Sequence, residues 1–182
     1  NNDTSAARYD KEAAELAWMA ALADHGIAVP AIVPTREGEA FVIVADADVR
    51  ELRQIDMLRW LPGTPIGSAE DGLVLSPAES ERLFFDAGHL AARIHDHTGI
   101  WSAPAGFVRH AWDEEGLVGQ EPFWGRFWEL PQLDPAERTL LERAAECARR
   151  DLRHFGHGED RYGLIHADLV PENLLRHGER LM

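Results

Sequence analysis

The sequence is poor in residues that several classes of protein depend on. It has one cysteine, Cys147, which excludes an intramolecular disulfide framework and any cysteine-rich zinc site and fits a reducing compartment. It has one lysine, Lys11, and its 18 basic residues stand against 32 acidic ones, for a net charge of −14. A surface of that sign repels phosphate backbones and anionic headgroups, so neither nucleic acid nor a membrane surface is an expected partner. No apolar run approaches the ~20 residues of a membrane-spanning helix. The start, Asn1-Asn2-Asp3-Thr4-Ser5, has neither the basic nor the apolar part of a signal peptide. The expectation is a soluble, cytoplasmic protein. What is present is ordinary globular composition: 182 residues, 45% of them hydrophobic, enough for one large domain or two small lobes around a real core.

Local signals divide the chain into elements. Residues 10–25 place Ala13, Leu16, Ala20 and Ala23 on one stripe, with Asp10 as N-cap and Gly26 past the end, which predicts a helix. Pro30 and Pro34 bar helix in the next stretch, and the turn-like Arg36-Glu37-Gly38-Glu39 before the β-rich Phe41-Val42-Ile43-Val44 points to a hairpin. Residues 51–63 read as a further strand ending at Pro62-Gly63, because Leu52, Ile55, Met57, Leu58 and Trp60 are dense for an exposed loop. Ser76-Pro77-Ala78-Glu79 and Asp134-Pro135-Ala136-Glu137 repeat one helix-start signal: a capping residue, a first-turn proline and a glutamate that can reach back. They predict helices over about 77–96 and 135–153. Residues 101–130, with Trp101, Trp112, Trp124 and Trp128 among glycines and prolines, carry no assignable period.

Chemistry concentrates in Gly163-Leu164-Ile165-His166-Ala167-Asp168-Leu169-Val170-Pro171-Glu172-Asn173-Leu174-Leu175. A strand-like run ends in His-x-Asp, and an asparagine follows five residues after the aspartate. Phosphoryl transfer to a hydroxyl needs a carboxylate that orients the attacking O–H and accepts its proton, and an oxygen ligand for the Mg²⁺ that neutralises the triphosphate. Asp168 and Asn173 supply one of each, and one tight loop can converge both on a small volume while its apolar flanks anchor it. The competing reading is a surface loop in which Asp168 makes an Asx-turn and His166 caps a carbonyl.

This segment resembles the catalytic loop of the aminoglycoside phosphotransferase and choline kinase-like superfamily, whose usual form is His-x-Asp-x₄-Asn. Three other stretches occur in the order that resemblance requires. The helix with Lys11-Glu12 and Trp18, followed by Gly26-Ile27-Ala28-Val29-Pro30, is similar to the N-lobe helix and its Val-Pro strand. Leu58-Arg59-Trp60-Leu61-Pro62-Gly63 is similar to the hinge, and Gly88-His89-Leu90-Ala91-Ala92-Arg93-Ile94-His95 to the first long C-lobe helix. The resemblance implies an α+β, protein-kinase-like bilobal fold: an N-lobe remnant of helix plus antiparallel strands over residues 1–61, and a mainly helical C-lobe over 62–182. It implies an enzyme that uses ATP and Mg²⁺ to phosphorylate a hydroxyl of a small molecule such as an aminoglycoside, an amino alcohol or a homoserine-like acceptor. Asp168 would be the catalytic carboxylate, His166 would brace the loop and Asn173 would ligate Mg²⁺. In Arg59-Trp60-Leu61 the backbone of Arg59 and Leu61 would hold the adenine edge, and Glu12 would pair with the lysine that grips the phosphates.

Parts of the family pattern are missing. Only eleven residues precede Glu12, no glycine-rich strand pair lies among them, and Lys11, adjacent to Glu12, cannot be the gripping lysine. A second metal-binding aspartate would fall just past Met182. The expectation is an incomplete piece of a kinase, truncated at both ends and inactive as it stands. The alternatives are a kinase-fold nucleotide-binding or regulatory protein without transfer activity, and a protein Ser/Thr kinase of the same superfamily. Other features read as structural. The groupings His95 and His97, or His154, His157 and His166, lack the spacing of a metal motif. Trp124, Phe127 and Trp128 read first as core and second as an aromatic wall for a cation. Asp113-Glu114-Glu115 reads as a solvated run, and Cys147 as a buried, inert thiol.

Overall fold

A computed structural model of the chain describes residues 3–46, 51–70, 72–73 and 75–182, the side chains of 3–12, 46 and 51 excepted. In chain order come α1 (Asp3–Asp24), β1 (Phe41–Asp46), β2 (Glu51–Asp56), β3 (Thr64–Pro65), α2 (Pro77–Ile100), α3 (Glu114–Val118), α4 (Pro135–Phe155), β4 (Leu175–His177) and β5 (Arg180–Leu181). Two 3-10 turns, Phe127–Glu129 and Pro171–Asn173, complete the described elements.

Both long-helix starts form as their sequences dictate. Ser76 Oγ accepts the Glu79 N–H at 3.4 Å while the Glu79 carboxylate accepts the Ser76 N–H at 2.9 Å. Asp134 and Glu137 repeat the exchange at 2.9 Å in both directions. Each box satisfies N–H groups that the first turn leaves without helical partners. Both helices outrun their expected ends, α2 to Ile100 and α4 to Phe155.

Helix α1 starts at Asp3, ahead of the expected Asp10, and its buried face is rotated from the expected stripe. Ala14, Leu16, Trp18 and Leu22 are buried, whereas Ala20 and Ala23 are exposed. Trp18 and Leu22 remove far more apolar area from water than alanines do, so they set the inward face. Gly26 ends the helix with φ of +75°: Ile27 N–H donates to Leu22 O at 3.0 Å and Gly26 N–H to Ala23 O at 2.9 Å. That left-handed cap turns Ile27 back onto Leu22 in the core.

The hairpin is made by β1 and β2, antiparallel from Phe41 opposite Asp56 to Asp46 opposite Glu51. The 36–39 turn does form, closed by Thr35 N–H to Glu39 O at 2.8 Å, but it does not pair its two flanks as a hairpin. Residues 31–33 instead bond to 57–59, with Val33 N–H to Met57 O at 2.8 Å and Arg59 N–H to Ala31 O at 2.7 Å. The strand expected over 51–63 therefore stops at Asp56, with Leu58 in a lone bridge to Ile32. Met57 is 64% and Trp60 90% exposed, so apolar density there did not signal burial.

Close contacts group Asn1–Val108 with Gly163–Met182 as one unit and Arg109–Tyr162 as a second. The expected lobe boundary at 61/62 lies inside the first unit. That unit's core joins Trp18, Leu22 and Ile27 to Leu90 and Ile94 of α2 and to Leu174, beside a three-stranded antiparallel sheet ordered β3-β4-β5. The second unit packs Val118, Trp128 and Ala145 together, and the Arg149 guanidinium lies 5.3 Å over the Trp128 ring while its Nε donates to Val118 O at 2.8 Å.

Candidate active site

The segment 163–175 is anchored at every fifth residue. Leu164, Leu169 and Leu174 all pack against the core of the first unit, and the residues between them carry the polar groups to the surface. No strand precedes His166, contrary to the sequence expectation: 164–170 has no ladder, and its hold on α2 includes Thr98 Oγ1, 3.3 Å from Leu164 O. A run of apolar residues can be pinned by side-chain burial alone, so its apolar character does not require sheet pairing.

Within this frame the three expected residues come together. Asp168 N–H donates to His166 Nδ1 at 3.2 Å. The bend that permits this is at Ala167, whose φ of +63° is the only positive value among described non-glycine residues. Asn173, at the end of the 3-10 turn, donates its side-chain amide to Asp168 Oδ2 at 2.8 Å and to Asp168 O at 2.9 Å. Asp168 is thus bonded from both sides, its N–H to His166 and its carboxylate and carbonyl to Asn173. Asp168 and Asn173 are both exposed, and Asp168 Oδ1 and Asn173 Oδ1 take no part in these bonds.

These oxygens suit a hard cation of the Mg²⁺ type, which takes one or two protein oxygens and fills its remaining positions with water and phosphate. Among the described residues no group of three His, Cys, Asp or Glu side chains converges as a self-contained metal site.

The hinge candidates sit one short strand away. β3 pairs with β4, with Thr64 opposite Arg176, and Ile66 N–H donates to Leu174 O at 3.0 Å, so the chain leaving Leu61 is bonded to the chain leaving Asn173. The Arg59 carbonyl and the Leu61 N–H have no hydrogen-bond partner among the described residues. Trp60, between them, is exposed. Glu12 lies on α1, but its side chain and the expected lysine pairing are outside the described residues.

Several discounted features are placed differently from expectation. Cys147 is exposed, not buried. The acidic run is engaged in structure: Asp113 caps α3 through the Gly116 N–H at 2.9 Å, Glu114 forms a two-bond pair with Arg153, and Glu115 accepts the Gln120 N–H at 2.9 Å. The Arg153 guanidinium pulls the Glu114 carboxyl below its usual range. Trp128 is core, as read, whereas Trp124 is 80% exposed and stacks on Trp112 with ring centroids 6.1 Å apart. A residue that sequence reasoning passed over is Glu172, whose carboxylate accepts the N–H of Ala69; its only sequence signal was its place between Asp168 and Asn173.

The phosphotransferase enzyme family model matches residues 3–182. Amicoumacin kinase of Bacillus subtilis (strain 168) is 26% identical over 157 residues, which are 85% of this chain and 41% of that protein. Among solved structures, a microcompartment-associated aminopropanol kinase is 35% identical with a TM-score of 0.72, over 91% of this chain and 48% of its own. An amicoumacin kinase, hAmiN, in complex with AMP-PNP, Ca²⁺ and Ami shares the fold at 20% identity with a TM-score of 0.69, over 94% of this chain and 46% of its own. The chain thus has the α+β fold of these kinases and spans less than half the length of each.

Proposed function

The chain belongs to the phosphotransferase enzyme family, and from that premise we propose that the whole protein transfers the γ-phosphate of ATP to a hydroxyl of a small amine-bearing alcohol, with Asp168 as its catalytic carboxylate. The observation that carries this reading is the double hydrogen bond from Asn173 to Asp168, which fixes one carboxylate oxygen and leaves Asp168 Oδ1 and the Asn173 amide oxygen outside the bonded pair. Asp168 Oδ1 orients the acceptor O–H along the line of attack and takes its proton as the new bond to the γ-phosphorus forms and the bond from that phosphorus to the β-phosphate oxygen breaks, releasing ADP. Asn173 Oδ1, with phosphate oxygens, would hold Mg²⁺, whose contribution is to neutralise the triphosphate charge. His166 keeps the Asp168 backbone in place. The Arg59 carbonyl and Leu61 N–H receive the adenine edge, and Glu12 completes the phosphate grip from α1. The lobe division near residues 61 and 62 belongs to the same reading.

Two facts favour an amine-bearing acceptor: the 35% identity to an aminopropanol kinase, and a net charge of −14 that raises the local concentration of cations. The test is ADP release by the whole protein with Mg·ATP across amino alcohols, aminoglycosides, choline and homoserine. Acceptor-dependent release that disappears in Asp168→Ala, with nucleotide binding retained, is the expected result. Release unaffected by that substitution would remove Asp168 from the chemistry. Nucleotide binding with no acceptor in the panel stimulating release would favour a regulatory kinase-fold protein.

A further inference from the structure

Glu172 stands between Asp168 and Asn173 and has no part in the chemistry described so far. Its Oε1 accepts the backbone N–H of Ala69, a residue 103 positions earlier. Ala69 belongs to a tight turn closed by Gly72 N–H to Ser68 O at 2.8 Å. The approach of this turn leaves no room: a Cβ on Gly67 would lie 2.6 Å from Gly72 O, 2.8 Å from Leu73 Cδ2 and 3.4 Å from Pro171 Cβ. One residue earlier, Ile66 N–H donates to Leu174 O at 3.0 Å. Residues 66–69 therefore meet the loop at Pro171, Glu172 and Leu174, on both sides of Asn173.

The turn that carries Asn173 needs such support. It is three residues long, and its own closing bond is Asn173 N–H to Val170 O at 3.0 Å. A single 3-10 turn has poor hydrogen-bond geometry and little cooperativity, so its shape depends on what holds it from outside. A charge-assisted bond from a backbone N–H to a carboxylate is the stronger kind, and it comes from a segment that the close approach at Gly67 keeps in place.

We propose that Glu172 is a positioning residue that ties the 66–72 segment to the catalytic loop, so that Asn173, and through it the Asp168 carboxylate, is held in reacting orientation. Its kinetic consequence rests on the phosphotransferase reading above; its structural consequence does not.

The experiment compares wild type, Glu172→Ala and Glu172→Gln in the whole protein, by amide hydrogen exchange over 66–72 and 171–175 and by steady-state kinetics. In Glu172→Ala both segments should exchange about tenfold faster or more. Turnover should fall by about tenfold or more while the acceptor KM moves by less than about threefold, because misaligned reacting groups cost rate rather than binding. Glu172→Gln keeps an oxygen for the Ala69 N–H and should recover the protection and most of kcat. Unchanged exchange in Glu172→Ala overturns the proposal, and so does faster exchange with unchanged kcat. A protected Glu172→Gln as slow as Glu172→Ala would assign the effect to charge, and a change in KM alone would assign Glu172 to the acceptor. If wild type phosphorylates no alcohol, the phosphotransferase reading fails by itself. The tie is then decided by whether exchange at 171–175 rises in Glu172→Ala and is restored in Glu172→Gln.

Discussion

Ala167 carries the sharpest backbone demand among the described non-glycine residues. With φ at +63° its Cβ crowds the following carbonyl, a conformation that costs an L-residue about 1–2 kcal/mol and persists where surrounding contacts over-determine it. The reward is that His166 folds back onto the Asp168 N–H. Ala167→Val, β-branched at the same φ, should lower unfolding stability by about 1–2 kcal/mol or more in urea titration; a wild-type midpoint would mean the bend is not strained. Asn173→Ala removes both bonds to Asp168 and the proposed Mg²⁺ oxygen together. Turnover should drop by about a hundredfold or more, and the Mg²⁺ concentration for half-maximal rate should rise. A loss of rate with an unchanged Mg²⁺ requirement would leave Asn173 only its hold on Asp168. At this scale much was legible, because His166, Asp168 and Asn173 are chemically distinctive at fixed spacing. Glu172 was not, since its partner is 103 residues away and sequence proximity says nothing about it.

At the scale of elements, α2 and α4 were readable because their start signals are local: a cap, a proline and a glutamate within four residues. Ser76→Ala and Asp134→Ala should each cost about 1 kcal/mol, the usual worth of an N-cap, measured by thermal or urea unfolding. Loss at one helix and none at the other would show that the second is held by its packing instead. The 163–175 segment behaves differently, since burial of Leu164, Leu169 and Leu174 defines it and, over 164–170, no hydrogen-bonded ladder does. Leu174→Ala should therefore be the costliest of these changes, at about 2–5 kcal/mol, because Leu174 is 4% exposed in the core that joins α1 and α2. The strand expected before His166 and the long strand over 51–63 failed for one reason. Apolar density does not distinguish a ladder from a pinned coil, nor a buried run from one left open, as at Trp60.

At the scale of the whole molecule, a buried histidine links stability to pH. His97 is 4% exposed, stacks on Trp101 and meets the His25 ring edge-on, and its Nδ1 has no partner among the described residues. Burial is the largest cause holding its pKa below the ordinary 6.5, the His25 imidazole adds to this, and a hydrogen bond to Ala21 opposes it. The unfolded chain accepts a proton near 6.5 that the folded chain resists. The folded state therefore keeps its full stability above that pH and loses it as pH falls below, through the lowered folded value. Urea midpoints should decline between about pH 7.5 and pH 5.5 in wild type and decline less in His97→Phe; parallel profiles would place the dependence elsewhere. The sequence by itself determined the helix starts, the family resemblance and the trio His166, Asp168 and Asn173, because capping and catalytic spacing are encoded within a few residues. Only the tertiary structure decided which face of α1 turns inward, that 31–33 bonds to 57–59, that residues 101–130 contribute α3 and a 3-10 turn, and that Ala69 reaches Glu172. Each of those depends on contacts between distant parts of the chain, where buried area and backbone hydrogen bonding outweigh local preference.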